Sequence, residues 1–519
     1  MALMKTQENQ RVDHVSVDAA GGQAPPWRRS SRISLFVVSL LPFVLLGTLN
    51  SAMYRYGASD QAFYLPAVLL DLHPEYFPRD ADLILAQARL TGIDDLIGGL
   101  AASTGAGLPM LFFVLYVGSL LLLATAAWLI GSHLYRNTWT SVALLAALTL
   151  RHGIWRTGTN TLEGYFHPRQ LAFAFGALAV AAILRRRLLP AAAAIAVAAV
   201  IHPTTALWFG IWLAIAVAVT DPRSRIRLAV AALSAAVIAT WALTVGPLAG
   251  RLVRMDPAWL ATLVTKAYLF PPEWPAAVWF VNLLSLPLIV VVYVRRRAAG
   301  LVDRAETGMA LGALSLAGVF AALVPLIAAR IALAVQLQPA RMFWMLDFTA
   351  TIYVVWALAE GLSAGTRRAR VAAVIIACLS LARGTYSKFV SFPERPIAQL
   401  DIRRDDWGRA MDWASTTDSD SGWLADPMHA VLYGSSVRVA AGRDVLVEAV
   451  KDTAIGMYDR RVAIRTRDRI SAVGDFRSLG SDRARALGAA YDLDYLVADR
   501  ALDLPLAFQS GELRVYRLR

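Results

Sequence analysis

Apolar runs punctuated by short arginine clusters constrain this chain more than any other feature. Hydrocarbon accepts only segments that close their backbone hydrogen bonds internally, so such runs commit the chain to membrane helices. The first run, Ile33 to Ala52, follows Arg28, Arg29 and Arg32. It starts too far in and is too long for a cleaved leader, and reads as a signal anchor. Further runs cover about residues 108–130, 138–150, 167–184, 228–245, 276–294, 306–329, 342–359 and 371–382. The stretch from Leu188 to Thr220 is too long for one crossing at ~1.5 Å per residue through a ~30 Å core. Proline lacks the backbone N–H a helix needs, so His202-Pro203 divides this stretch into two helices with His202 at the turn. About eleven transmembrane helices are predicted.

Alternation of these helices puts the clusters at 185–187, 223–227, 295–297 and 367–370 on one side. The positive-inside rule makes that side cytoplasmic. Residues 1–32 then form a disordered cytoplasmic tail, and residues 33–384 a transmembrane domain whose long first external loop covers 54–107. Residues 385–519 carry more charge and shorter apolar runs, and the odd helix count places them outside the membrane as a small α/β domain. Within it, strands are expected at 437–450 and 494–498, a hairpin at 506–518 around Ser510-Gly511, and helices at 403–415 and 481–491. The fold class is thus an all-α polytopic membrane protein with a small C-terminal extracytoplasmic α/β domain, located in the cell membrane. The net charge of +13 does not imply nucleic acid, because the cations sit between apolar runs in a chain that is 57% hydrophobic and 17% charged. A single cysteine, Cys378, excludes an intramolecular disulfide and a cysteine-based metal site. There is no phosphate-binding glycine loop, no H-E-x-x-H and no serine triad.

The outward side collects Asp60, Asp80, Asp82, Glu163, His167, Arg169, His202, Asp256, Glu273, Gln338 and Arg341. Loops need solvating residues, so any one of these also reads as ordinary surface. Arg169, His202 and Arg341 carry more weight, because charge at or inside a helix end is costly and is usually paired or functional. Arg169 follows His167-Pro168 and Arg341 follows Gln338-Pro339-Ala340, so each arginine lies in a first helical turn that favours an anion. Their bland alternative is topological anchoring; that of His202 is a cap. Asp60 stands a few residues beyond the first helix, where a carboxylate can serve as a general base, or bind a metal or a sugar hydroxyl. Asp80-Ala81-Asp82 is a D-x-D triplet whose carboxylates can share a divalent cation, magnesium or manganese, or can simply solvate a loop.

Asp60-Gln61-Ala62-Phe63-Tyr64 resembles the acidic motif, often Asp-Glu-x-x-Tyr, that follows the first helix in GT-C membrane glycosyltransferases. Gln61 stands where that family often has Glu. The resemblance implies that Asp60 is a catalytic base, deprotonating an acceptor hydroxyl that attacks a polyprenyl-phosphate-linked sugar with inversion. It implies the lipid bilayer, that donor and an envelope acceptor as partners, with Asp80, Asp82, Glu163, His167, Arg169, His202, Gln338 and Arg341 as substrate-binding candidates. A transporter or flippase would bury charges mid-span and show inverted symmetry, and the sequence shows few such charges and no fixed-period repeat. A non-catalytic envelope scaffold is the third reading.

Overall fold

A computed structural model describes residues 26–361 and 365–519. Most of the expected tail, residues 1–25, lies outside the described residues. The first helix, α1, spans Pro26–Asn50, and the loop behind it folds into β1 (Tyr54–Arg55) and the short helices α2 (Gln61–Leu72), α3 (Ala81–Ala88) and α4 (Ile93–Thr104). Next come α5 (Leu108–Leu134), α6 (Thr138–Leu148), the ribbon β2 (Gly153–Ile154) and β3 (Thr159–Asn160), α7 (Pro168–Leu184), α8 (Leu188–Ile201), α9 (Pro203–Thr220) and α10 (Arg225–Thr244). The remaining membrane half holds α11 (Pro257–Leu263), α12 (Ala276–Leu283), α13 (Ser285–Ala298), α14 (Arg304–Ala328), α15 (Ala332–Gln336), α16 (Met342–Ala359) and α17 (Thr366–Tyr386). Among the described residues, eight helical segments are long and apolar enough to cross a membrane, and α6, α7 and α8 are shorter apolar helices. The chain is a polytopic all-α membrane protein, and every one of the expected apolar runs is helical. The last helix runs further than expected, through a π turn to Ser391.

Sequence chemistry sets the breaks. His202 caps α9 and leaves the helical region with φ −155°, which separates α8 from α9 as its Pro203 neighbour requires. Close packing of α9 against α14 depends on Gly308 and Gly312. A Cβ on Gly312 would meet the Trp212 carbonyl at 2.4 Å, and one on Gly308 the Ala216 carbonyl at 2.5 Å. Small residues four apart let membrane helices approach in this way. By contrast, α10 has no buried residue along its length.

The C-terminal segment begins with β4 (Ala398–Gln399), which pairs in parallel with β1 and so ties the loop after the first helix to the strand after the last. Its domain comprises α18 (Asp406–Ala414), β5 (Gly422–Leu424), α19 (His429–Leu432), α20 (Val437–Ala440), β6 (Asp444–Val445), α21 (Ala449–Ile455), α22 (Arg460–Val473), α23 (Ser481–Tyr491), β7 (Tyr495–Ala498), β8 (Leu506–Ser510) and β9 (Leu513–Arg517). The sheet order is β6-β5-β7-β9-β8, parallel among the first three strands and antiparallel thereafter. Period-two alternation gives it two cores: Trp423 and Val497 pack with Trp407 of α18, while Leu424 and Leu496 pack with Leu487 of α23. The hairpin forms where expected, with Gly511 at φ +57°. The strand expected at 437–450 does not. Ser436 caps a helical turn by accepting from the Val439 N–H, and Gly442 at φ +64° turns the chain, so only Asp444–Val445 is extended.

Candidate functional site

Asp60 is presented on an unusual backbone. Ala52, Met53 and Ser59 take left-handed φ values of 60°, 65° and 53°, and Gly57 lies at φ +74° where a Cβ would meet Ile402 at 2.5 Å. Non-glycine residues in this region cost of order 1–3 kcal/mol each and persist where surroundings enforce them. Gln61 is one enforcer: its Oε1 accepts from the Gly57 N–H at 2.6 Å and its Nε2 donates to the Phe166 carbonyl at 3.2 Å. The residue that departs from the family motif is thus fully buried and bonded to backbone on both ends.

Although Asp60 precedes α2, its carboxylate makes no cap bond. Oδ1 accepts from Lys451 Nζ at 2.6 Å, and Oδ2 lies 3.3 Å from His167 Nε2. His167 caps α7, its Nδ1 accepting from the Arg169 N–H at 3.1 Å. Nδ1 is therefore unprotonated in the neutral ring, and Nε2 carries the hydrogen donated to Asp60. Burial, reinforced by the charge of Arg169, pushes the His167 pKa down to about 4. Burial alone would raise Asp60, but Lys451, His167 and Arg169 outweigh it and hold the carboxylate well below its ordinary range. The site thus keeps an ionised acid beside a neutral histidine.

Two cavities meet at this carboxylate. The smaller, about 210 Å³, is lined by His202, Lys266, Tyr268, Arg341, Lys451 and Tyr458, among others. His202 Nδ1 is occupied by the Thr205 N–H at 3.3 Å and the Thr204 and Thr205 hydroxyls. Burial, then Arg341, keeps His202 neutral by lowering its pKa well below the usual value. Lys266 is lowered to about 8, first by burial and then by Lys451. Buried Arg341 Nε has no hydrogen-bond partner. The larger cavity, about 650 Å³, includes Asp60, Glu163 and the β2–β3 ribbon in its wall.

The remaining candidates divide. Arg169 is buried and pairs with Glu163 at 3.4 Å, behind the site; Glu163 also accepts from Asn160 at 3.1 Å, and burial raises its pKa despite Arg169. Gln338, at φ +49°, donates to the Tyr458 hydroxyl at 3.3 Å and so backs the small cavity without lining it. Asp256 caps α11 and pairs with Arg460, and Glu273 pairs with Arg330, both away from Asp60.

Asp80 and Asp82 need correction. Asp80 is fully buried and ringed by Arg438 at 2.7 Å, Arg465, and Arg469 at 3.4 Å, while Asp82 is exposed in the first turn of α3. A carboxylate already saturated by three guanidinium groups, whose partner is exposed elsewhere, is a poor donor set for one shared cation. No group of three or more His, Cys, Asp or Glu converges as a metal site among the described residues.

Sequence reasoning missed Lys451, Lys266 and Tyr458. Tyr458 stands just before α22, which Asp459 caps, and lines the small cavity. Lys451 is 391 residues from Asp60 in the chain, so no local pattern marks it.

No protein-family model matches this chain, and no curated protein matches it. Among solved structures it is similar to the oligosaccharyltransferase of Archaeoglobus fulgidus in the apo form, at 11% identity and a TM-score of 0.45. It is also similar to the archaeal oligosaccharyltransferase AglB of Archaeoglobus fulgidus in complex with an inhibitory peptide and a dolichol-phosphate, at 12% identity and a TM-score of 0.47. Each alignment covers 91% of this chain and 70% of the other.

Proposed function

We propose that this chain is a membrane glycosyltransferase that moves a sugar from a polyprenyl-phosphate donor to an envelope acceptor, with inversion and with Asp60 as general base. One observation carries the reading: the ionised Asp60 carboxylate belongs to the walls of two cavities at once, so ligands in both would meet at it. The small cavity offers Lys266, Lys451, Arg341 and the free Nε2–H of His202 to a phosphate. The acceptor would enter from the larger cavity.

In the step, the acceptor oxygen attacks the anomeric carbon from the face opposite the phosphate. A new C–O bond forms, and the anomeric C–O bond to phosphate breaks with its electron pair leaving on polyprenyl phosphate. The acceptor proton passes to an Asp60 oxygen. A carboxylate held this low in pKa is a weak base, suited to a late transfer from a hydroxyl already acidified by bond formation. His167 orients Asp60 and contributes no charge. Asp80 and Asp82 do not fit a shared cation, and no part of the step passes through one.

Sidedness supports the same reading. The arginine clusters lie at the helix ends remote from Asp60 in the chain's alternation, and Lys451 brings the C-terminal domain to the Asp60 side. This supports an extracytoplasmic site. The test is purified protein in lipid with a polyprenyl-phosphate sugar and candidate acceptors, read as release of lipid phosphate. Asp60→Asn should cut release by about 10²–10⁴-fold while the protein remains folded; full release by that variant would overturn the assignment.

A further inference from the structure

The larger cavity has a charge that the proposed reaction leaves unexplained. Arg55, Arg151, Arg156 and Arg395 all line it. Its two acids are already engaged, Asp60 by Lys451 and His167, and Glu163 by Arg169 and Asn160, with the charge of Arg151 acting on it from further off. Among the described residues, no carboxylate stands within ion-pair distance of any of these four guanidinium groups. Arg151 spends its Nε on the Leu162 carbonyl at 3.0 Å, and Arg395 lies over the Phe392 ring at 3.8 Å. Arg55 is the most confined: its buried Nε has no partner, and burial, then the charge of Arg395, pushes its pKa down to about 10.

Arg55, Arg151 and Arg395 are half-buried and Arg156 is exposed. Clustered cations that are half-buried without a paired acid are unfavourable unless an anion completes them. Guanidinium groups match the bidentate geometry of carboxylate and phosphate oxygens. The cavity also offers the face of Trp155, 52% exposed. Its volume of about 650 Å³ is ample for more than one sugar ring. Every residue lining it lies outside the membrane helices, in the segments 51–60, 151–165 and 392–395. A water-facing loop pocket suits a polar ligand, whereas the small cavity draws Arg341 from a membrane-spanning segment.

We infer that the larger cavity is an acceptor subsite built for an anionic glycan, one bearing carboxylate groups as in a uronic acid. This rests on the glycosyltransferase reading for the word acceptor, and on the four arginines alone for the anion.

The experiment uses the full chain in lipid nanodiscs and measures binding of three probes: a hexuronic-acid disaccharide, its neutral hexose counterpart, and a short-chain polyprenyl phosphate. Arg156→Gln and Arg395→Gln, alone and together, are compared with the unaltered protein; neither side chain touches Asp60. The uronate should bind at least about tenfold more tightly than the neutral disaccharide, with a preference that falls as salt rises. The double variant should erase that preference and leave polyprenyl-phosphate binding unchanged. Equal binding of the two disaccharides overturns the inference. So does a double variant that loses polyprenyl phosphate instead, since the arginines then serve the lipid headgroup. Retained folding of each variant is checked by its melting temperature, and a preference surviving in a folded double variant also overturns the inference. Release of lipid phosphate is followed separately: a protein that binds uronate but never releases lipid phosphate keeps the anion subsite and loses the transferase reading.

Discussion

Asp60 and Asp80 occupy the same long loop, and each stands immediately before a short helix without capping it. Each meets cations from the C-terminal domain. They nevertheless have opposite fates. Asp80 is sealed from solvent by three arginines, one of which, Arg438, also binds Asp452 at 2.7 Å. Asp60 keeps 28% of its side chain exposed, has one lysine and one neutral histidine, and faces two cavities. A saturated, buried acid fastens two parts of a protein together. A partly satisfied acid at a cavity wall is available to a ligand.

The widest separation of the two comes from asparagine at each position. Asp60→Asn should cut transfer by about 10²–10⁴-fold with little change in melting temperature, the range general-base catalysis supplies. Asp80→Asn should do the reverse, costing about 3–5 kcal/mol of stability, because removing one partner leaves buried arginine charge uncompensated. A thermal melt and a turnover assay on both variants decide it, and a D80N protein with an unchanged melt would break the comparison.

Lys451→Met sharpens it. Lys451 is the leading influence holding Asp60 low, so its removal raises the Asp60 pKa. The acidic limb of kcat/KM should move to higher pH, and an unmoved limb would remove Lys451 from the electrostatics of the base.

A smaller effect follows from His167. Its pKa falls from 6.5 to about 4 on folding, so between those values the unfolded chain binds the proton and the folded one does not. Stability contributed by the neutral ring is full above about 6.5, is lost as pH falls toward 4, and levels off below. His429, also lowered to about 4 by burial, adds in the same direction. Melts of His167→Gln against the unaltered chain across that window should show a shallower loss in the variant. Least of all, Asp82→Asn should leave melt and turnover unchanged, since its side chain is exposed.

The same contrast explains what the sequence could disclose. Membrane helices were legible because burial in lipid demands long apolar runs, and arginine clusters such as 185–187 and 295–297 mark their ends locally. The His202-Pro203 break was legible for the same reason, since proline acts on its immediate neighbours. Asp60 drew notice through its place after α1 and its five-residue motif. What made Asp80 look like a metal ligand was also local, two acids one residue apart. Its arginines lie 358 and more residues away, as Lys451 lies 391 from Asp60. No periodicity encodes such pairings; they arise when β1 and β4 join the two ends of the membrane domain. The strand expected at 437–450 failed because valines at 437, 439, 445 and 447 gave β character to a segment whose cap at Ser436 and turn at Gly442 were overlooked.

Lys451 also imposes an order in time. A ribosome that has delivered all the membrane helices has still to make α21, and until then Asp60 lacks its ammonium partner and the small cavity lacks one wall. Insertion and completion of the small cavity are consequently separate events. During the interval the small cavity stays open on the side that Val450, Lys451, Ala454, Met457 and Tyr458 later close. The closing of the C-terminal domain onto the loop, fastened at Asp80, is the moment at which the small cavity gains its last wall.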